Sequence, residues 1–363
     1  MFVRVLFWAG LGALVWTHAA YPLAASALAR IRPRRVRGAD WTPTVTVIVA
    51  AYNEEAVIAR RIENLLALDY PAGLVEIVVT SDASTDRTEE IAASYPGVRV
   101  TRNPRGGKVA AQDRAVRETE SELLAFSDAN ATWAPDALRK LVRPFADPDV
   151  AYACGRLRIQ AAGGSNREGV YWRYELWLRE AESRLGSVTG GNGSIYAVRR
   201  ADYIEVDPRF GHDLSLPYLM VQRGRRAVYE PAALAFEKPT PTNEDEFRRK
   251  VRMFEHCWLI LLRGKMLRRL GPLYWIEIVS HRVLRYGSGL LHLVLLGASL
   301  ALVRQGLAYQ AALAGQLLLL AAAAAGVGIA RYYVLIAWAT VVSLANYLRR
   351  GVPATWAPPE GTR

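Results

Sequence analysis

A short apolar run, Leu123 to Phe126, leads almost directly into Asp128, and Asn130 follows two positions later. A run of this length predicts a buried strand that delivers one carboxylate to its own end. Open α/β sheets build their sites at the carboxyl ends of strands, and a carboxylate there can hold a divalent metal against phosphate oxygens. Because Asp in this position is also a common turn residue, neighbouring segments have to distinguish the two interpretations.

Strand and helix patterns alternate on both sides of this segment. Apolar, often β-branched runs are followed by stretches with one apolar face, such as the face formed by Ile58, Ile62 and Leu65. The other predicted strands are 45–50, 75–80, 98–101, 151–159, 195–198 and a strand ending at 227–231. This alternation predicts an α/β fold with a doubly wound, mostly parallel sheet.

The N-terminal segment from Phe2 to Leu28 is nearly all apolar and is too long for the apolar core of a signal peptide. Small residues near its end could imitate a cleavage site. Its length and its interface-type aromatics Trp8, Trp16 and Tyr21 favour an uncleaved transmembrane helix. The basic run from Arg30 to Arg37 then marks the cytoplasmic side and places the N-terminus outside.

The C-terminal third is again rich in apolar residues. Basic and apolar residues interleave from Phe247 to Leu270, as in a helix that lies in the membrane interface. The apolar segments 288–303, 307–330 and 332–348 reach membrane length or nearly so, which predicts two or three spans. Three spans would place Arg349 and Arg350 outside, against the preference of basic residues for the cytoplasm. The tail from Gly351 is predicted to be disordered.

These changes of composition divide the chain. We expect a transmembrane helix at 1–29, a basic cytoplasmic linker at 30–43, the α/β domain at 44–246, amphipathic interface helices at 247–287, C-terminal transmembrane helices at 288–348 and a tail at 349–363. The protein would then be a multi-pass protein of the inner (plasma) membrane, with its α/β domain in the cytoplasm.

The 363 residues carry a formal net charge of +12. Nucleic acid, an anionic membrane surface or a phosphate-bearing substrate could each attract such a charge. The basic residues cluster next to apolar segments, which favours the membrane surface, and no zinc-finger, basic-zipper or RNA-binding motif supports nucleic acid. The only two cysteines, Cys154 and Cys257, exclude a thiolate-rich metal site and fit a reducing compartment.

Several polar residues follow predicted strands and could meet in one crevice. Glu54 and Asp82 can accept hydrogen bonds from a nucleobase or ribose, whereas Asp86 is at least as well placed to cap the next helix. Lys108 follows two glycines at a helix start, where backbone amides and a lysine suit a diphosphate. A solvated surface lysine is the alternative.

Two further candidates lie later in the chain. Asp213 could act as a general base if it faces the crevice, although a pair such as His212 and Asp213 is more often structural. The basic residues between 248 and 252 could hold a diphosphate leaving group or form an anionic-lipid patch, which is slightly favoured.

The order of these motifs resembles that of the inverting family 2 glycosyltransferases with a GT-A fold. The similarity extends from Thr44 to Trp258. The flanking apolar segments suit the membrane-bound members of the family, such as exopolysaccharide and N-acetylglucosaminyl transferases. The matching segments are Ala50–Glu55, Ser81–Thr88, Gly107–Lys108, Ser127–Asn130, Gly190–Gly193 and His212–Asp213. The combination is specific for the family, but it does not identify the sugar.

The resemblance implies a site for a nucleotide-sugar donor, with a UDP-linked sugar expected. Asp128 would be the first Asp of the family's Asp-x-Asp motif and would coordinate Mg2+ or Mn2+ on the diphosphate, with Asn130 in the second position. The other residues that it assigns to the donor are Ala50, Tyr52, Glu54 and Asp82 for the uridine, Lys108 for the nucleotide and Arg252 for the diphosphate.

The same resemblance implies the acceptor side of the site. Gly191, Asn192 and Gly193 would contact the acceptor, and Asp213 would be the general base. The expected activity is transfer of a sugar, with inversion, to a hydroxyl acceptor at the cytoplasmic membrane face, in cell-surface polysaccharide or glycolipid synthesis. The acceptor could be a lipid or a polysaccharide, and an export partner or a homo-oligomer is left open.

Three departures from the family pattern support an alternative. Asn130 replaces the second Asp, His212 replaces the acidic neighbour of Asp213, and only Arg252 remains of the family's Gln-x-x-Arg-Trp motif. The loss of that Gln and Trp argues against processive polymerisation. Together the departures are also compatible with a non-catalytic, nucleotide-sugar-binding membrane scaffold or partner subunit.

Overall fold

The computed structural model describes residues 1–159, 169–238 and 243–355. Its strands are β1 (Val45–Ala51), β2 (Val75–Asp82), β3 (Val98–Asn103), β4 (Leu123–Asp128), β5 (Thr132–Trp133), β6 (Val150–Ile159), β7 (Tyr196–Arg199) and β8 (Arg226–Glu237). Its α-helices are α1 (Phe2–Val15), α2 (Tyr21–Ile31), α3 (Ile58–Leu66), α4 (Thr88–Ala93), α5 (Lys108–Arg117), α6 (Ala137–Val142), α7 (Gly169–Leu185), α8 (His212–Gln222), α9 (Asn243–Arg263), α10 (Pro272–Ile278), α11 (Leu284–Tyr286), α12 (Ser288–Leu302), α13 (Leu307–Ala324) and α14 (Gly328–Arg350).

One eight-stranded sheet, in the order β3-β2-β1-β4-β7-β6-β8-β5, forms the centre of the protein. Strands β1 to β4 are parallel, whereas β7 runs antiparallel to β4 and to β6. The mostly parallel α/β sheet predicted from the sequence is therefore confirmed. The chain moves outward from β1 to β3 and then returns to β4, so β1 and β4 flank the switch point at which such sheets bind ligands.

Both faces of the central parallel strands β1 and β4 are buried, which explains their largely apolar sequences. On β1, Val47 and Val49 pack in one apolar cluster with Ile58 and Ile62 of α3. Ile48, between them, belongs to a second cluster on the other face of the sheet. Side chains alternate along a strand, so a run of apolar residues fills both layers at once.

In the described part of the chain, four helical segments are long and apolar enough to cross a membrane: Phe2–Ile31, Ser288–Gln305, Leu307–Ala324 and Gly328–Arg350. The last two are separated at residues 325–327, earlier than the hydropathy pattern indicates. Gly326 adopts a φ of 83° there, a left-handed conformation that ends helices.

The first helix packs along α12, far away in the sequence. Phe7 is fully buried in a cluster with Leu295 of α12. Arg4 donates a hydrogen bond from Nη2 to Oε1 of Gln305 at 2.9 Å. Elements from the two ends of the described chain therefore form one helical unit.

The helix expected in the membrane interface forms as α9, which begins at Asn243, a few residues before the expected boundary. Its apolar residues Phe254 and Trp258 are buried in a cluster with Ile336 of α14. Trp258 also donates from Nε1 to the carbonyl oxygen of Thr340 at 3.1 Å. The surface that α9 buries is therefore provided in part by α14.

The described part of the C-terminal tail is folded against the rest of the protein, unlike the predicted disordered tail. Val352 is buried with α9 and α14. The carbonyl oxygen of Ala354 approaches Gly107 so closely that a Cβ there would clash with it, and Gly107 has a φ of 92°. Both facts require glycine at position 107. Residues 356–363 of the predicted tail lie outside the described residues.

The basic linker lies on the surface of the α/β domain. The side chain of Arg226, 2% exposed, donates to the carbonyl oxygens of Arg34 at 2.8 Å and Arg35 at 3.2 Å. Asp147 accepts a hydrogen bond from the backbone amide of Arg37 at 3.2 Å and pairs with Arg226 at 3.6 Å. A buried ion pair thus anchors the linker.

Candidate active site

Asp128 lies at the end of β4, directly opposite Ala50 of β1 in the parallel register. Lys108, the first residue of α5, forms an ion pair through Nζ with Oδ1 of Asp128. The two side chains are 25% and 30% exposed, so the pair is accessible from solvent. Three residues that the sequence selects therefore meet at the switch point of the sheet.

The charges of three carboxylates act on the ammonium group of Lys108. Burial disfavours its charged form, but Asp128, Asp213 and Glu237 outweigh burial and raise the pKa of Lys108. The lysine is therefore positively charged at neutral pH. This position in the site is one at which the protein stabilises a cation.

The loop from Gly190 to Ser194 borders the Asp128–Lys108 pair. A Cβ added at Gly193 would lie 3.3 Å from Nζ of Lys108 and 3.6 Å from Oδ2 of Asp128. Glycine at this position keeps the space beside the carboxylate open. The predicted acceptor loop and the predicted donor residues are thus in contact.

Asn192 uses its side chain to hold this loop in shape. Its Nδ2 donates to the carbonyl oxygen of Gly155 at 2.6 Å, and its Oδ1 accepts from the amides of Ser194 at 3.2 Å and Ile195 at 3.0 Å. The residue is buried. A direct contact between Asn192 and an acceptor stays a prediction.

Asp82 directs its carboxylate toward the loop that precedes α5. Its Oδ1 accepts from the amides of Gly106 at 2.7 Å and Gly107 at 3.0 Å, and its Oδ2 pairs with Arg105 at 2.5 Å. The guanidinium of Arg105 also lies 3.3 Å from the ring centre of Tyr52. Asp82 therefore shapes the loop that presents Lys108, and its contact with uridine stays a prediction.

Asp86 caps the start of α4. Its Oδ1 accepts from the backbone amide of Thr88 at 3.0 Å and from the Thr88 hydroxyl at 2.5 Å, and its Oδ2 accepts from the amide of Glu55 at 3.1 Å. The bonds to Thr88 are of the kind that the capping interpretation of Asp86 predicts, and the residue directly before α4 is Arg87. The amide of Glu54 donates to the same threonine hydroxyl at 2.7 Å, which ties the end of β1 to this helix.

Asp213 lies in the first turn of α8, where the helix dipole favours a carboxylate. The amide of Gly191 donates to its backbone carbonyl at 2.6 Å, so the candidate base is tied to the acceptor loop. His212 is instead a core residue, 3% exposed, with its two ring nitrogens 3.0 Å from the Tyr196 hydroxyl and 3.3 Å from the Tyr203 hydroxyl. His212 therefore has a structural role.

The basic residues of α9 have different surroundings. Arg249 donates to Glu246 at 2.8 Å, and its charge acts to lower the pKa of Glu237. Burial and Arg249 lower the pKa of Arg252, while Glu255 acts to raise it. The positive charge of Arg249 thus acts on the carboxylate of Glu237. The contact of Arg252 with a diphosphate stays a prediction.

Glu237 is a site residue that the sequence prediction omits. β8 continues past Pro231 and ends at Glu237, which accepts a hydrogen bond from the hydroxyl of Ser194. Burial and the charge of Asp128 raise the pKa of Glu237. The signal was present in the sequence, because the apolar run Ala233–Phe236 leads into an acid as the run before Asp128 does.

The side chains at this site fit a divalent cation that is also bound by a ligand. Within the described ranges, no group of three or more His, Cys, Asp or Glu residues could hold a metal by itself. Asp128 and Asn130 offer oxygen atoms of the kind that Mg2+ and Mn2+ prefer, and Gly193 leaves space beside Asp128. The remaining oxygen ligands would come from a diphosphate.

Residues 46–206 match the family model described as Glycosyl transferase family 2. Together with the sheet and the site at its switch point, this match defines the class of the matched part: residues 46–206 form a family 2 glycosyltransferase domain.

The chain has relatives among bacterial glycosyltransferases. It is 32% identical to a beta-monoglucosyldiacylglycerol synthase from Nostoc sp. over 172 residues, which cover 44% of this chain and 36% of that protein. It is 30% identical to an N-acetylglucosaminyltransferase from Sinorhizobium fredii over 246 residues, 60% of this chain and 58% of that protein. The matched part thus spans about a third to somewhat over half of the length of these relatives.

One solved structure has the same fold over nearly the whole length of this chain. A mannosyltransferase from Pyrobaculum calidifontis, in complex with GDP-Man and Mn2+, has a TM-score of 0.72 and 23% sequence identity. The superposition covers 96% of this chain and 98% of that one. The predicted GT-A fold is therefore confirmed.

Proposed function

We propose that this protein transfers a sugar from a nucleotide-sugar to a hydroxyl group of a membrane lipid, with inversion at the anomeric carbon. A UDP-linked sugar is the expected donor. The observation that carries the proposal is the convergence of Asp128, Lys108 and the loop 190–194 at the switch point of a family 2 glycosyltransferase domain.

On the donor side, the diphosphate would meet the ion pair of Asp128 and Lys108, which lies at the end of β4. Asp128 and Asn130 would hold Mg2+ or Mn2+, and such an ion neutralises the charge that develops on the leaving diphosphate. Lys108 adds a fixed positive charge at the same place. Ala50, Tyr52 and the loop shaped by Asp82 border the nucleoside, and Arg252 would extend the basic side of the site.

On the acceptor side, Asp213 accepts the proton of the attacking hydroxyl group. The hydroxyl oxygen forms a bond to the anomeric carbon while the bond from that carbon to the diphosphate breaks, and the nucleoside diphosphate leaves. Gly191 links Asp213 to the acceptor loop through its amide, which supports a common position for the base and the acceptor.

The membrane supplies the reason to prefer a lipid acceptor. Four apolar segments of membrane length flank the α/β domain in the described chain, and one group of relatives consists of beta-monoglucosyldiacylglycerol synthases. We propose that the catalytic domain works at the cytoplasmic face of the inner membrane, where the basic linker also lies.

The test uses the full chain purified in detergent and returned to lipid nanodiscs. UDP-glucose, UDP-N-acetylglucosamine and GDP-mannose are each incubated with diacylglycerol and Mg2+ or Mn2+, and products are identified by mass spectrometry. The proposal expects one added sugar per lipid and metal-dependent release of nucleoside diphosphate. A ladder of products would indicate polysaccharide synthesis. Donor binding without transfer from any nucleotide-sugar would favour the scaffold alternative.

A further inference from the structure

The backbone brings Glu237 next to the loop that follows Asp128. Strands β5 and β8 pair antiparallel, with Thr132 opposite Phe236 and Trp133 opposite Ala235. One further step in this register sets Glu237 opposite position 131, beside Asn130. Opposed residues of antiparallel strands have Cα atoms about 4.5–5.5 Å apart. A second acid thus lies at the turn where this chain lacks the second Asp of the family's Asp-x-Asp motif.

The carboxylate of Glu237 is held toward the site by its neighbours. The hydroxyl of Ser194 donates to Oε1 of Glu237, and the carbonyl oxygen of Ser194 accepts from Nε1 of Trp133 at 2.9 Å. Trp133 is 1% exposed. Since Gly193 borders Asp128 and Lys108, the adjacent Ser194 links Glu237 to that pair.

The charges at the site also bring Glu237 and Asp128 into one group. Burial and Asp128 raise the pKa of Glu237, while Lys108 acts to lower it. In turn, both acids act to raise the pKa of Lys108. The ammonium group of Lys108 pairs directly with Asp128 and acts on Glu237 through its charge, and a divalent cation beside both acids would stabilise each carboxylate further.

We propose that Glu237 is the second carboxylate of the metal site and supplies the negative charge that Asn130 cannot supply. The inference rests on the proposed function, because it concerns the cation that would accompany the nucleotide-sugar. It explains how a chain with Asn130 in place of an acid can hold Mg2+ or Mn2+ with oxygen ligands from two strands, β4 and β8.

Metal binding is measured directly on the full chain in detergent. Free Mn2+ is followed by electron paramagnetic resonance during titration, with Mn2+ alone and with Mn2+ plus UDP or GDP. Glu237→Gln preserves size and removes the charge, and it should weaken Mn2+ binding at least about tenfold. Asp128→Asn should do the same. Glu230→Gln, a matched change on the same strand, should leave binding unchanged.

A compensating variant makes the test specific. Asn130→Asp restores the acid of the family pattern, so the double variant Asn130→Asp, Glu237→Gln should recover most of the lost Mn2+ binding. Recovery would also show that the change Glu237→Gln is compatible with a folded site. If Glu237 had only a structural role, Asn130→Asp would not restore Mn2+ binding to the Glu237→Gln variant.

Other outcomes would overturn the inference. If Glu237→Gln binds Mn2+ like the wild type while Asp128→Asn does not, Glu237 is not a ligand, and the proposed function stands without it. If the wild type transfers sugar but takes up no Mn2+ with UDP or GDP, the metal site itself is wrong. If it neither binds Mn2+ nor transfers sugar, the inference and the proposed function both fail.

Discussion

Asp213, the proposed general base, lies at the start of a helix and has a fixed backbone, as expected of a group that would receive a proton in one geometry. Its position in the first turn of α8 and the hydrogen bond from Gly191 do not depend on its side-chain charge. We therefore expect Asp213→Asn to retain the fold and to lower kcat by about 10²- to 10⁴-fold.

The measurement is sugar transfer by the purified variant, together with its melting temperature. The control is Glu205→Gln, which removes a surface carboxylate paired with Arg117 at 2.6 Å and 47% exposed, and which should keep wild-type activity. Near-normal turnover of Asp213→Asn would show that another group is the base.

Arg61 is a buried cation that contacts Ser127, the residue before Asp128. It is 1% exposed, donates from Nη2 to the hydroxyl of Ser127 at 2.8 Å and lies 4.8 Å from the ring centre of Trp133. Burial lowers its pKa to about 9, and the charge of Asp128 acts in the opposite direction. At neutral pH the guanidinium is charged and supports both Asp128 and the loop beyond Trp133.

Removing this side chain should cost substantial stability. Arg61→Ala loses packing against Trp133 and leaves Ser127 without its donor, so we expect a loss of about 3 kcal/mol in the free energy of unfolding. Thermal melting in detergent measures the change. The exposed neighbour Arg60 provides the control, since Arg60→Ala should shift the melting temperature little. Equal shifts for both variants would contradict a special role for Arg61.

Single residues also show what the sequence can and cannot reveal. Asp128 and Lys108 were predictable because each follows a strong local pattern, an apolar run or a glycine pair at a helix start. The sequence does not reveal that Asp82 would accept from the Gly106 amide, or that Asn192 would accept from the amides of Ser194 and Ile195 in its own loop. Those partners lie in loops, and loop geometry depends on contacts distant in sequence.

At the scale of elements, local patterns predicted every strand except the short β5, but they predicted neither the order of the strands in the sheet nor the full extent of each strand. β8 was expected to end near Pro231, since proline is unfavourable within a strand. It continues to Glu237 because β6 and β5 pair with it on either side. The tertiary pairing therefore overrides the local signal, and this one extension brings Glu237 into the site.

The basic linker is an element whose position depends on one buried carboxylate. Burial acts to raise the pKa of Asp147, but the amides of Arg37 and Asp149 and the charges of Arg37 and Arg226 outweigh it and lower the pKa below its usual value. A carboxylate with a lowered pKa stabilises the fold above its unfolded pKa, and this contribution is lost as the pH falls through the folded pKa.

Asp147→Asn should therefore destabilise the protein by about 2 kcal/mol at pH 7. The difference from the wild type should persist down to about pH 4 and shrink below it. Melting curves across this pH range measure both effects. Asp149→Asn removes a surface pair with Arg34 at 50% and 54% exposure and should cost less than about 1 kcal/mol. A pH-independent difference for Asp147→Asn would contradict the electrostatic cause.

At the scale of the whole molecule, α14 contacts the α/β side of the protein at both of its ends. Near its start, Tyr332 makes an edge-to-face contact with Tyr171 of α7, with ring centres 5.4 Å apart. At its end, Arg350 pairs with Glu255 of α9 at 3.1 Å. A helix that crosses a bilayer separates its ends by about 30 Å of hydrocarbon. We therefore expect α14 to lie along the membrane surface and not to cross it.

This arrangement would leave three crossing segments, Phe2–Ile31, Ser288–Gln305 and Leu307–Ala324, and would put the C-terminus in the cytoplasm. Arg349 and Arg350 would then obey the preference of basic residues for that side. A C-terminal fusion to a fluorescent protein should be fluorescent in cells, and a fusion to alkaline phosphatase should be inactive. The opposite pair of results would show that α14 crosses the membrane.

The contact between Arg4 and Gln305 joins residues 301 positions apart. At synthesis rates of about 5–20 residues per second, the first helix waits on the order of 15 to 60 seconds before α12 leaves the ribosome. During that interval Phe7 can be covered only by lipid or by another protein, and Arg4 lacks the acceptor that Gln305 provides. The pairing of these two helices is therefore a late event, whose timing is determined by translation.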